Sequence, residues 1–305
     1  MQAGGPDGRG IDGRAGIDAA LVKRLLAAQF PEWAGLPVTP VEFDGWDNRT
    51  YRLGETMTVR LPTAAGYAPA IAKEHEWLPR LAAQLPVAVP PILGLGVPGE
   101  GFPFHWSVRG WLEGRTADRA ELDDLPGFAA ELAAFLLALQ ACGTTGAPDA
   151  GEHSWFRGTS PAHYDDETRR CLSRLSGRID TEGAEAVWDA ALDARWGGPP
   201  VWFHGDVAAG NLLEEKGSLA AVIDFGTSGV GDPACDLVIA WTLFGGESRS
   251  TFRREIAMDE ASWARGRGWA LWKALLGLAE GPGASGTASN LRIVRELIEE
   301  HRSLC

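Results

Sequence analysis

Over residues 17–30, IDAALVKRLLAAQF, apolar side chains return every three or four positions, with Asp18 in the first turn; this predicts a short leading helix. The period then shortens. VEFD, NRTYRL and MTVRL read as strands, broken by Gly-Trp-Asp-Asn and by Gly-Glu, which suits three short antiparallel strands joined by tight turns. Residues 69–85, PAIAKEHEWLPRLAAQL, return to helical spacing and offer Ile71, Leu78, Leu81 and Leu85 for one apolar face. The proline-rich residues 86–104 must be extended or turning, because proline disfavours helix at itself and at the residue before it. HWSVRGWLEG then reads as one more strand, running into a glycine-ended connection.

The balance then changes from strand to helix. DDLPGFAAELAAFLLALQAC is a strong helix whose apolar positions cover more than one face, which places it centrally in a core. DDETRRCLSRLS and TEGAEAVWDAAL read as helices, preceded by the loop WFRGTSPAHYDD. VWFHGDVAAGNLL and AVIDFGTSGVGDPACDL hold short β-type segments with loops. Two helices, ASWARGRGWALWKALLGL and ASNLRIVRELIEEHRSL, close the chain on either side of a glycine-rich link. The expected organisation is a flexible tail over residues 1–16, a sheet-rich nucleotide-binding lobe over 17–110 and a larger helical lobe over 111–305. The class is α+β.

Composition narrows this picture. Against 28 basic residues stand 41 acidic ones in 305, a net charge of −13. Such a field repels nucleic acid and anionic membranes and attracts a cationic ligand. Cys142, Cys171, Cys235 and Cys305 are scattered without metal-site spacing, and a reduced cytoplasmic setting is expected. No run of about 18 apolar residues is present, so no membrane span is expected. Oligomeric state is left open.

The chemistry concentrates in two stretches. In FHGDVAAGN, Asp206 and Asn211 stand at the D-x-x-x-x-N interval of a kinase catalytic loop, where the Asp faces the acceptor hydroxyl and the Asn ligates Mg²⁺. Asp224 follows in Ile-Asp-Phe-Gly, an apolar strand ending in a carboxylate with Phe-Gly behind it. A γ-phosphoryl group concentrates negative charge, so hard oxygen ligands must hold Mg²⁺ against it, and a separate carboxylate must orient the hydroxyl. Gly205 permits the tight path before Asp206. Asp232 and Asp236 form a second acidic cluster and can cap a helix beginning near Pro233.

His-Gly-Asp in place of His-Arg-Asp, with IDFGTSGVGDPACDL downstream, resembles the aminoglycoside phosphotransferase family, a branch of the kinase-like superfamily. The resemblance runs in order over residues 41–244. It implies a bilobal kinase-like fold, ATP or GTP as phosphoryl donor, Mg²⁺ on Asn211 and Asp224, and His204, Asp232 and Asp236 as supports behind the site. It also places Arg60 of MTVRLP at the strand position usually held by Lys, with Glu74 as its expected helix partner and Glu76 as the alternative. Asn48 and Thr50 stand where a glycine-rich loop would contact phosphates. Adenine contacts are expected at the backbone near Arg109 to Trp111.

The expected reaction is transfer of a phosphoryl group to a small-molecule hydroxyl, most readily of an antibiotic such as an aminoglycoside or macrolide. Asp165, Asp166, Glu167, Asp259 and Glu260 are candidates to line a cleft for a cationic acceptor. Two alternatives stand beside it. One is a metabolite kinase of choline, homoserine or sugar type, with Trp241, Trp263, Trp269 and Trp272 as candidate cage residues for a quaternary ammonium. The other is an inactive nucleotide-binding regulatory protein, which Arg60 alone favours.

Overall fold

The computed structural model describes residues 16–42, 44–281 and 286–304; residues 1–15 of the expected tail, and Cys305, lie outside them. The chain forms two compact units. One runs to Glu113 and takes back the segment Ala221–Gly226, and the other comprises Gly114–Ala220 and the chain from Thr227 onward. The return segment, which carries Asp224, was not foreseen from the sequence. It belongs to the first unit because Ala221 bridges Ala88 in parallel and the Val222 N–H donates to the Ala88 carbonyl at 3.0 Å.

The first unit begins with α1 (Ala19–Gln29), whose first turn is capped by the Asp18 carboxylate accepting the Leu21 N–H at 2.7 Å. Strands β1 (Val38–Pro40), β2 (Asn48–Leu53), β3 (Met57–Pro62), β4 (Ile92–Gly96) and β5 (Trp106–Gly110) make one antiparallel sheet in the order β1-β2-β3-β5-β4. Helix α2 (Ala68–Ala82) connects β3 to β4.

Alternation gives this sheet two unlike faces. Tyr51, Leu53, Val59, Leu61, Trp106 and Val108 join Leu21, Val22 and Leu25 of α1 in the hydrophobic core. On the other face Thr50 stands opposite Arg60, Arg60 opposite Ser107, and Thr58 opposite Arg109. The first strand corrects the reading of residues 41–44. The strand lies earlier, at Val38–Pro40, because Asp44 is a cap instead. Its carboxylate accepts the Thr50 N–H at 2.9 Å and the Arg49 guanidinium at 2.6 Å. Phe43 of that stretch lies outside the described residues. Leu85 lies beyond the end of α2, and Trp77 takes its place on the buried face.

The second unit carries β6 (Arg115–Thr116), α3 (Leu125–Ala141), α4 (Asp165–Arg174), α5 (Thr181–Asp193), β7 (Val201–Phe203) and β8 (Leu212–Glu215). Strand β9 (Ser218–Val222) leads into the return segment. Then follow β10 (Gly229–Gly231), α6 (Ile239–Thr242), α7 (Gly246–Ile256), α8 (Glu260–Ala279) and α9 (Thr287–Leu304). Strand β7 pairs with β10, and β6 with β8. Helix α3 is central, as its apolar surface predicts, with Phe128, Leu132, Phe135, Leu136 and Leu139 all buried. Helix α7, unforeseen from its polar sequence, packs against it. Helix α8 approaches α5 so closely that a Cβ on Gly268 would lie 2.4 Å from the Ala191 Cβ. The two glycines of RGRGW therefore let α8 sink into the unit, and the side chains around them reach the catalytic-type loop. Cys142, Cys171 and Cys235 are buried free thiols. No helix among the described residues is long and apolar enough to cross a membrane.

Candidate active site

Strand β7 ends in buried Trp202 and Phe203, and the chain turns at His204-Gly205-Asp206. Gly205 has φ +85°, and a Cβ there would sit 2.8 Å from the Thr227 carbonyl oxygen. The turn is held from behind by Asp236, whose two carboxylate oxygens accept the His204 and Gly205 N–H groups at 2.8 and 2.7 Å. Burial raises the Asp236 carboxyl, while His204 and those backbone donors work to lower it. Asp232 caps the 3₁₀ turn Pro233–Val238 by accepting the Ala234 N–H, and it receives Arg265 of α8 at 2.6 and 3.1 Å, both side chains buried. His204 is fully buried, and its Nδ1 accepts the Asp206 N–H at 3.2 Å. A side chain at position 205 would collide with backbone and demand a left-handed conformation that only glycine adopts freely. Gly205→Ala is therefore expected to cost about 1–3 kcal/mol in urea unfolding, and to lower turnover by displacing Asp206.

The Asp206 carboxylate projects from this turn. Its Oδ1 accepts the Lys273 ammonium at 2.9 Å, and its Oδ2 accepts the Asn211 Nδ2 at 3.1 Å. Asn211 also donates to the Asp206 carbonyl at 2.9 Å, so the five-residue interval closes on itself. Burial works to raise the Asp206 carboxyl, but Lys273, His204 and Arg157 outweigh it and hold it at about 2. Asp206 opens on a pocket lined by Arg157, Val207, Cys235, Val238, Trp269, Trp272 and Lys273. Arg265, Trp269, Trp272 and Lys273 lie on one stripe of α8 by their spacing, so one helix face is anchored by Asp232 at one end and by Asp206 at the other.

The first unit builds a second charged cluster on the polar face of its sheet. Glu74 of α2 is buried, and it receives both terminal nitrogens of the buried Arg109 at 2.9 and 2.6 Å. Arg109 also donates from Nε to Ser107 Oγ at 2.9 Å. Arg60 lies 3.7 Å from Glu74 and donates to Asp224 at 3.1 Å. Glu74 thus meets Arg60, but its hydrogen bonds go to Arg109, and Glu76 points away to pair with Arg80. Burial pushes the Glu74 carboxyl up, and Arg109 and Arg60 outweigh it and hold it at about 2. Arg60 is pushed above its usual range by Asp224 and Glu74 against the effect of burial.

The adenine contacts expected near Arg109 to Trp111 are to backbone atoms, and both side chains there are engaged elsewhere. Arg109 lies in a central strand between Thr58 and Ile92, with its side chain committed to Glu74. The Trp111 N–H donates to the Thr56 carbonyl at 2.7 Å, and its ring lies beneath the Arg52 guanidinium. Asn48 is buried, and its Oδ1 has no hydrogen-bond partner among the described residues; Thr50 is half-buried beside Arg60. Lys73, which sequence reading missed, donates to the Gly226 carbonyl at 2.8 Å. Burial lowers its ammonium to about 8, with Glu74 and Asp224 opposing. Its only signal in the sequence is its place beside Glu74.

Most acidic residues expected to line an acceptor cleft have structural partners. Asp165 accepts the Trp188 indole and pairs with Arg169, and Glu167 accepts the Trp272 indole at 2.8 Å. Asp259 caps α8, and Glu260 pairs with Arg253 and Arg267. Asp166 is exposed in the first turn of α4, where negative charge suits the helix dipole. The candidate aromatic cage is also corrected. Trp241 and Trp263 are fully buried core residues, and the Trp272 ring already carries a cation, the Arg157 guanidinium 4.5 Å from its centroid.

Among the described residues no group of three His, Cys, Asp or Glu side chains makes a ready-made metal site. Mg²⁺ needs none, because it keeps several waters and takes only one or two protein oxygens beside phosphate. Asn211 Oδ1 and the second Asp224 oxygen each lack a hydrogen-bond partner among the described residues, so the donor chemistry fits that ion. Asp224 sits at φ +67°, a conformation sparsely populated by side-chain-bearing residues, of which Asp is among the most tolerant.

The fold is that of known small-molecule kinases. The GDP and kanamycin complex of APH(2")-IIia is 18% identical, with a TM-score of 0.67, covering 93% of this chain and 98% of that one. The ADP-bound aminoglycoside phosphotransferase APH(2'')-Ib is 16% identical, with a TM-score of 0.59 and coverage of 93% and 97%. The apoenzyme of macrolide 2'-phosphotransferase MphH from Brachybacterium faecium is 22% identical, with a TM-score of 0.57 and coverage of 90% and 97%. No curated protein sequence matches the chain significantly. The APH family, described as the phosphotransferase enzyme family, matches residues 38–269, so this chain belongs to that family and is a kinase of hydroxyl acceptors.

Proposed function

We propose that the protein is a Mg²⁺-dependent phosphotransferase that moves the γ-phosphoryl group of ATP or GTP onto a hydroxyl of an antibiotic-sized small molecule. The observation that carries this reading is the Asp206 loop: a carboxylate held ionised and aimed into a pocket by Gly205, Asp236, Lys273 and Asn211. Asp206 is the catalytic residue in this reading, because it accepts the hydroxyl hydrogen and orients the oxygen for attack. A carboxylate held near pKa 2 is a weak base, so it positions the hydroxyl and receives the proton only as the phosphoryl group arrives. That timing suits a loose transition state, in which the acceptor oxygen needs little prior activation.

Asn211 and Asp224 are the residues assigned to Mg²⁺, which when bound neutralises phosphate oxygens. Arg60 is assigned to the phosphates of the donor, with Thr50 beside it, and Arg109 to holding Glu74 in place. Solved neighbours carry GDP, ADP or ATP, which supports a nucleoside triphosphate as donor. Kanamycin, gentamicin and streptomycin in other neighbours support a small-molecule acceptor, as does the macrolide 2'-phosphotransferase. The retained Asp206, Asn211 and Asp224 argue against an inactive regulatory protein.

One observation favours an acceptor with little positive charge, a macrolide or a metabolite, over a polycationic aminoglycoside: the pocket at Asp206 carries two cations, Arg157 and Lys273, against one anion. Expression in a sensitive host, tested against aminoglycosides and macrolides, is expected to raise resistance to the latter rather than the former. A parallel nucleoside-diphosphate release assay covers amino sugars, sugars, choline and hydroxy acids. Release with none of these acceptors, from protein that binds Mg²⁺ and nucleotide, would reject the kinase reading.

A further inference from the structure

The pocket beside Asp206 is rich in hydrogen-bond donors that orienting a hydroxyl does not require. The Lys273 ammonium has three N–H groups and uses one on Asp206. The Arg157 guanidinium has five; Nη1 reaches the Trp155 carbonyl at 3.0 Å and the Tyr164 hydroxyl at 3.5 Å. Its plane is held over Trp272, so the group is preorganised. Opposed to these donors is a single acidic side chain, Asp206. Gly205, Val207, Cys235, Val238 and the Trp269 and Trp272 rings complete the lining.

A pocket that offers ammonium and guanidinium N–H groups asks for oxygen acceptors bearing negative charge. We propose that this pocket is an oxyanion subsite, and that it seats the carboxylate of a hydroxy-acid acceptor between Lys273 and Arg157, beside the hydroxyl that Asp206 orients. The identity of the second group as an acceptor rests on the kinase reading above; the oxyanion site itself does not. The transferring phosphoryl group is the other source of the same chemistry, and it is separated from the first by the test below.

Calorimetric titration of the full chain with D-glycerate, inorganic phosphate and ethanolamine measures the site directly. Glycerate and phosphate are expected to bind saturably at millimolar concentration, and ethanolamine not to bind. Lys273→Met and Arg157→Met are each expected to weaken glycerate at least about tenfold, with thermal unfolding of each variant checking that the fold persists. Asp206→Asn removes the anion from the same pocket and is expected to tighten glycerate several-fold, an effect that general damage cannot produce. With Mg²⁺ and a non-hydrolysable ATP analogue at saturation, glycerate binding is expected to persist. Its loss by competition would assign the donors to the phosphoryl group and overturn the acceptor assignment. Absence of saturable oxyanion binding, equal binding of ethanolamine, or unchanged affinity in both variants would overturn the subsite. Oxyanion binding that passes these tests without phosphoryl transfer to any hydroxy acid would uphold the subsite and overturn the assignment of a hydroxy acid as acceptor.

Discussion

Asp206→Asn is expected to lower kcat by about two to four orders of magnitude while leaving nucleotide affinity nearly unchanged. The amide keeps the shape of the side chain, so the turn held by Asp236 and Gly205 should persist. It loses the charge that orients the acceptor hydroxyl and receives its proton, and it leaves the Lys273 ammonium without its carboxylate. Steady-state kinetics with a confirmed acceptor separate these effects. A fall confined to kcat supports a role in the transfer step, whereas full activity would remove Asp206 from the chemistry. The pH profile adds a sign. A carboxyl held at about 2 is ionised throughout the range where the enzyme is folded, so no acid limb between pH 5 and 8 belongs to it.

The loop at Asp206 was legible in the sequence because its geometry is local. Asp206 and Asn211 close a ring through two hydrogen bonds over a five-residue interval, and Gly205 marks the one backbone conformation that a side chain forbids. The helices α3 and α8 were equally plain, since their burial is written in periodic apolar residues. Long-range pairing was not legible. Nothing in the spacing of Arg60, Glu74 and Arg109 says that two arginines on adjacent strands share one carboxylate, because that depends on the register Arg60–Ser107 and Thr58–Arg109. The partners of the acidic candidates were hidden for a related reason. Asp165, Glu167, Asp259 and Glu260 look like solvent-facing charge in one dimension, yet each meets an indole, an arginine or a helix N-terminus brought there by the fold. Lys273 and Arg157 were overlooked because a cation is unremarkable until its distance from a catalytic-type carboxylate is known.

The same long-range cluster carries the second large effect. Glu74→Ala is expected to destabilise the first unit by about 3–5 kcal/mol, because it leaves Arg109 buried without its anion and Arg60 with only Asp224. Charge and not lost volume should dominate, since Arg109 is 1% exposed and cannot turn to water. Replacing both partners by apolar residues, Glu74→Met with Arg109→Met, is therefore expected to recover much of the loss, as an intact apolar contact leaves no buried charge uncompensated. Acid titration of the native chain gives the matching sign. Glu74 falls from an ordinary carboxyl to about 2 on folding, so its contribution of about 3 kcal/mol is complete above the unfolded pKa near 4 and is lost as pH falls toward 2. Urea midpoints measured from pH 6 down to pH 2.5 should fall more steeply for the native chain than for Glu74→Ala. Parallel slopes would mean that Glu74 titrates alike in the folded and the unfolded chain. The activity of Glu74→Ala should fall too, through Arg60, whose guanidinium would lose one of the two carboxylates that hold it.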